Sequence, residues 1–69
     1  METIKFVNVL QLFESHGWVL EGIYKIHRVF INPKDNKILP WTIPVKNGKV
    51  DSYYYIEIKR FFDNENEGS

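Results

Sequence analysis

A chain of 69 residues makes one domain, and at that size folding buries only about 60% of the surface the unfolded chain exposes, so a few large side chains must carry the core. Nine basic and nine acidic residues give zero net charge, which at first sight argues against a nucleic-acid partner. Cysteine is absent, which excludes a disulfide framework, a thiolate nucleophile and a cysteine-based metal site, and fits a reducing, cytoplasmic location.

From the N-terminus, Thr3 is placed to cap a helix, and Phe6, Val9, Leu10 and Phe13 follow at the i, i+3, i+4, i+7 spacing that lines one helical face. The pattern predicts a helix from about Ile4 to His16. Gly17 stands where a left-handed residue ends a helix, and His16 in the last turn complements the helix dipole when protonated. Residues 18–24 carry Val, Leu, Ile and Tyr without a helical stripe, so a strand is expected, with Gly22 marking a bend or a bulge. Alternation continues from Ile26 to Ile31, placing His27, Val29 and Ile31 on one side and Ile26, Arg28 and Phe30 on the other.

Residues 32–36, Asn-Pro-Lys-Asp-Asn, form a dense turn signal and predict a hairpin. The return strand is expected at about Lys37 to Ile43, at an edge or with a bulge, because Pro40 and Pro44 cannot donate ladder hydrogen bonds. Residues 45–49 read as a loop around Asn47-Gly48. From Val50 to Phe62 the run of tyrosines favours a strand, whereas Val50, Tyr54, Ile58 and Phe61 recur at helical spacing; helix is the reading adopted, capped by Asp51 or Ser52. Asp63 to Ser69 has no aliphatic or aromatic residue and is expected to be a disordered acidic tail. The pattern is α-β-β-β-α: one α+β domain over residues 1–62, with two helices packed on one face of a three-stranded antiparallel sheet. Eleven aromatic residues suffice to hold it.

The segment 1–5 lacks the features of a signal peptide, and no stretch approaches the ~20 apolar residues that span a bilayer, so no membrane association is expected. Charge is unevenly spread. Between residues 25 and 49 stand Lys25, Arg28, Lys34, Lys37, Lys46 and Lys49 against Asp35 alone, a basic middle able to engage phosphate. The same lysines also suit the solvated rim of a hairpin. No glycine-rich phosphate loop, carboxylate pair or histidine pair at metal-ligand spacing is present, and no cofactor is expected. His27 lies between Lys25 and Arg28; on a strand Lys25 and His27 share a face and Arg28 points away. By spacing alone His27 reads as a structural or solvent-facing strand histidine. Its chemistry nevertheless suits RNA cleavage, with imidazole taking the proton of a ribose 2′-hydroxyl and cations stabilising the phosphorane.

Phe13 with Gly17-Trp18, the spacing from Trp18 to His27, Pro33, and then Ile43-Pro44-Val45 before a final amphipathic segment together resemble the HicA toxin family of bacterial toxin-antitoxin systems, over nearly all of residues 4–62. The resemblance implies an α-β-β-β-α fold akin to double-stranded-RNA-binding domains. It also implies messenger RNA cleavage by a strand histidine, here His27, and neutralisation by a HicB-type antitoxin. The family's usual Gly-Ser-His reads Lys25-Ile26-His27 in this chain, and its Val-Pro-x-His reads Ile43-Pro44-Val45-Lys46. On this reading His27 is the general base, and Lys25, Arg28, Lys34, Lys37, Lys46 and Lys49 bind RNA phosphate. The enzyme is expected to need no metal and to be monomeric when free of its antitoxin. The alternatives are a non-catalytic module on the same fold that binds nucleic acid or protein, and a structural or inhibitory protein that pairs through a sheet edge.

Overall fold

The apolar spacing that begins at Phe6 does build a helix, but the chain first makes a strand. The computed structural model describes residues 2–67. Strand β1 is Thr3–Lys5, and helix α1 follows as Phe6–Ser15, with Val9 and Phe13 fully buried. Thr3 is therefore not the helix cap expected from sequence. The N-cap is Lys5, which makes no side-chain capping bond. Instead the Phe6 N–H donates to the carbonyl of Gly48 at 2.8 Å, so a remote hairpin satisfies one of the helix's unpaired donors.

The other end of α1 is closed locally. Gly17 has φ of +82°; its N–H donates to Glu14 O and the Trp18 N–H to Phe13 O, each at 3.0 Å. This is the Schellman pattern, and it comes with its apolar contact, because the Trp18 and Phe13 rings lie 5.5 Å apart. The chain leaves the helix with Trp18 already folded back into the core.

Strand β2 (Val19–Tyr24) pairs antiparallel with β3 (His27–Ile31), and β3 pairs with β4 (Trp41–Pro44), giving the sheet order β2-β3-β4. The register of β2 slips between Leu20 and Gly22, the bulge anticipated there. Asn32 Oδ1 accepts the Lys34 N–H and Asp35 Oδ1 accepts the Lys37 N–H, which folds the predicted turn. The return strand is shorter than expected. Ile38 N–H still belongs to the turn, donating to Asp35 O, and pairing begins only after Pro40, which lacks a donor and restricts the residue before it. Pro44 sits at the end of an edge strand, as its chemistry requires.

Beyond the expected three strands lies β5 (Lys49–Asp51), which pairs antiparallel with β1 in a separate two-stranded ribbon. Val50, assigned from sequence to the last helix, belongs to β5 and is still buried. Helix α2 spans Ser52–Glu67 and is capped by Asp51, whose Oδ1 accepts the Tyr53 N–H at 3.0 Å. It continues through Asp63 to Glu67, where the sequence reading placed a disordered tail. No glycine or proline breaks the chain before Gly68. Gly68 and Ser69 lie outside the described residues.

The core joins both helices to one face of the three-stranded sheet: Val9 and Phe13 from α1, Ile58 and Phe62 from α2, Phe30 and Ile43 from the sheet, closed by Trp18, Val45 and Val50. Phe13 is at its centre. Its ring stacks on Phe30 at 4.1 Å and 11°, and meets Trp18, Trp41 and Phe62 edge-on or tilted. The His16 ring lies flat on Phe62 at 3.9 Å, tying the end of α1 to α2. Phe13→Ala should cost about 3–5 kcal/mol, against a total stability that for small domains starts at about 5 kcal/mol. Urea denaturation should therefore show a largely unfolded variant, while a stability within about 1 kcal/mol of the parent would contradict the central place given to this ring.

Candidate nucleic-acid interface

No polar or charged side chain is buried among the described residues, so any chemistry this protein performs must take place on its surface. His27 opens β3 and is exposed. It pairs with Tyr24 on one side and Pro44 on the other, and cross-strand partners project from the same face of a sheet. Alternation then puts His27, Val29 and Thr42 on the outer face, opposite Phe30 and Ile43 on the face that meets the helices.

Lys25 does not share a strand face with His27. Lys25 and Ile26 are the two residues of the β2–β3 turn, because Tyr24 pairs directly with His27. Lys25 adopts φ of +59°, a left-handed conformation that costs a non-glycine residue roughly 1–2 kcal/mol. The expected strand alternation fails here because a two-residue hairpin requires positive φ. Arg28 turns to the inner face, as alternation requires. Its guanidinium lies 5.6 Å from the Phe6 ring centroid and its Nη1 is 3.5 Å from the Ile26 carbonyl. The side chain is half-buried, with part of its donor capacity already directed at the protein.

The six cations grouped by sequence separate in space. Lys34 and Lys37 lie in the turn after Ile31, the far end of β3, which is itself about 13 Å from His27 over four residue steps. Lys46 and Lys49 lie at His27's end. Lys46 is two residues beyond Pro44, and the Val45 N–H donates to Ile26 O at 2.7 Å, which fastens this segment to the hairpin turn. Asn47 and Gly48 both have positive φ, +54° and +71°, and close a tight turn in which Lys46 and Lys49 exchange backbone hydrogen bonds at 3.0 and 2.9 Å.

A seventh cation, missed by the sequence reading, completes the group. Lys5 pairs with Lys49 in the β1–β5 ribbon, and Lys49 pairs with Lys46 on its other side, so three lysines stand in a row at about 5 Å between successive Cα atoms. Among the described residues the one ion pair joins Arg60 to Glu57 on α2, which leaves this row without a carboxylate partner. Beside it opens a cleft of about 360 Å³, lined by Thr3, Ile26, Pro44, Lys46, Lys49, Asp51 and Tyr54. No three His, Asp or Glu side chains come together to hold a metal among the described residues, and none of their helices is long and apolar enough to cross a membrane.

No protein-family model, curated protein or solved structure matches the chain.

Like charges directly opposed across a ladder are destabilising. Lys49→Gln, which removes the middle of the row, should raise stability by a few tenths of a kcal/mol at low salt, with the gain shrinking as salt screens it. Lys25→Gly should raise it as well, by relieving the left-handed strain, to the extent of roughly 0.5 kcal/mol after the extra entropy of the unfolded chain is deducted. Chemical denaturation at two salt concentrations checks both; a loss of stability in either variant would contradict the geometry described.

Proposed function

We propose that this protein is a HicA-like ribonuclease that cleaves messenger RNA and is held inactive by a HicB-type antitoxin. The observation that carries the reading is the convergence at one end of the sheet of an exposed strand histidine, His27, with a row of cations at Lys5, Lys46 and Lys49 that has no carboxylate partner among the described residues. RNA cleavage needs both. A base must remove the 2′-hydroxyl proton while positive charge stabilises the phosphorane. The attacking 2′-oxygen bonds to phosphorus, the 5′-oxygen leaves and takes up a proton from water, and the products are a 2′,3′-cyclic phosphate and a 5′-hydroxyl. His27, at the margin of the cleft through its partner Pro44, is assigned the base, and Lys46 and Lys49 the charge stabilisation.

A second observation supports the family reading. Where the family carries the glycine of Gly-Ser-His, this chain has Lys25, and its φ of +59° is the conformation a glycine adopts freely. The backbone turn that a glycine would serve is therefore present without one. Lys25 then presents its ammonium group at the hairpin corner, next to His27 in sequence but one residue removed, where it is assigned a phosphate contact. Arg28 is the weakest of the assigned RNA contacts, since it packs over Phe6.

The position of Lys34 and Lys37 favours one competing reading, a module that binds RNA without cutting it. These two lysines form a basic site at the opposite end of the sheet from His27, and binding centred there would owe nothing to catalysis. Expression in bacteria separates the two readings. Growth arrest by the parent and normal growth with His27→Ala, at equal protein levels, is the expected outcome. Equal toxicity of the two proteins, or a harmless parent, would contradict the role given to His27. Salt-sensitive RNA binding abolished by Lys34→Gln with Lys37→Gln, in a protein that leaves RNA intact, would establish the competing reading.

A further inference from the structure

The lysine row and the cleft beside it have a shape and chemistry that cleavage by His27 does not use up. We propose that the cleft between the β2–β3 turn and the start of α2 seats one nucleotide of single-stranded RNA. The phosphate lies on Lys46 and Lys49 with Lys5 at the rim, and the base rests against Ile26, Pro44 and Tyr54. The proposal takes RNA as the partner from the preceding reading and adds where the strand is held.

Three features of the site lead to this ligand. The first is charge. Lys5, Lys49 and Lys46 occupy adjacent positions across three chain segments, an arrangement that repels itself until an anion is placed on it. The one carboxylate lining the cleft, Asp51, turns an oxygen to the Tyr53 N–H as helix cap and makes no ion pair with the lysines among the described residues, so two cations face one anion and the lining stays net positive. The second is size. At about 360 Å³ the cleft lies at the small end of the range of ligand sites, roughly 300–1,000 Å³. That volume is on the scale of a single nucleotide.

The third is the wall. Ile26 and Pro44 supply apolar surface, the half-buried Tyr54 adds an aromatic ring, and Thr3 and Tyr54 bring the neutral hydroxyls available to a ribose. Apolar and aromatic surface next to a cationic track is how single strands are held without strict sequence readout, because every base offers a flat face. Pro44 belongs to the wall and is also the cross-strand partner of His27. A nucleotide seated in the cleft therefore brings the neighbouring ribose of the same strand towards the imidazole.

The test uses the full chain and a 2′-O-methyl uridine hexanucleotide, which has no 2′-hydroxyl to attack and so reports binding alone. Amide resonances of Thr3, Ile26 and residues 46–51 should shift on titration. Lys46→Gln with Lys49→Gln should weaken binding at least tenfold and lower the slope of log K against log salt by about 0.7, the contribution of one phosphate contact on a single strand. Thermal melting should show that this variant folds at least as stably as the parent. Lys59→Gln, an exposed position on α2 away from the cleft lining, should bind within twofold of the parent. Binding by the Lys46 and Lys49 variant within twofold of the parent, shifts confined to residues 32–37, or no binding at low salt would each overturn the proposal. The ribonuclease reading fails separately. A parent that holds the hexanucleotide in the cleft yet never cuts unmodified RNA supports the cleft and removes the enzyme, while unchanged KM for cleavage in the Lys46 and Lys49 variant removes the cleft and leaves the enzyme.

Discussion

The parallel contact of Phe13 on Phe30 is the interaction on which the other contacts depend. It fixes α1 across β3, and the Schellman closure three residues later turns Trp18 onto the same ring, so helix, chain reversal and first sheet strand are positioned by one side chain. Phe62 then sets α2 edge-on against Phe13 and Trp18. With so thin a core, every large apolar side chain at the centre is committed to packing and no polar side chain is buried with them among the described residues. The chemistry is pushed to the rim by this economy of size.

At the rim, backbone pairing assembles the cations. The β1–β5 ribbon is only three residues long on each side, yet it caps α1 through Gly48, begins α2 through Asp51, and sets Lys5, Lys49 and Lys46 side by side. Two positive-φ turns, at Lys25 and at Asn47-Gly48, bring the histidine's hairpin and the lysine turn together, fastened by the bond from Val45 to Ile26. Strain at Lys25 and repulsion along the lysine row both oppose folding, and a site that gives up stability in this way is expected where a ligand restores it. An anion on the row is the simplest such ligand.

Much of this fold could be read in the sequence because its signals are local. The face of α1, the stop at Gly17, the bulge near Gly22, the turn after Asn32, the positive φ at Asn47-Gly48 and the cap at Asp51 are each written within a few residues. The helical stripe in residues 52–62 also prevailed over the β propensity of three consecutive tyrosines, although Phe62 rather than Phe61 is the more buried. What could not be read is non-local or too short to have a period. Three residues cannot display an alternation, so nothing in the sequence separates β1 from the helix that follows it or β5 from loop and helix, and the place of Lys5 beside Lys49 stays hidden with them. A lysine gives no sign of a left-handed turn, so alternation alone puts Lys25 on a strand. At the candidate site, backbone pairing brings Lys46 and Lys49 to His27's end of the sheet, whereas Lys34 and Lys37, grouped with them along the chain, lie at its other end.

The central claim is that His27 and the cations around it form a cutting site for RNA, and the most direct test is the chemistry of the ends produced. The purified protein should be incubated with end-labelled single-stranded RNA in the presence of a chelator, beside His27→Ala. The account predicts fragments ending in 2′,3′-cyclic phosphate from the parent and intact RNA from the variant. Intact RNA from both, fragments with 3′-hydroxyl ends, or equal cleavage by the two proteins would contradict it.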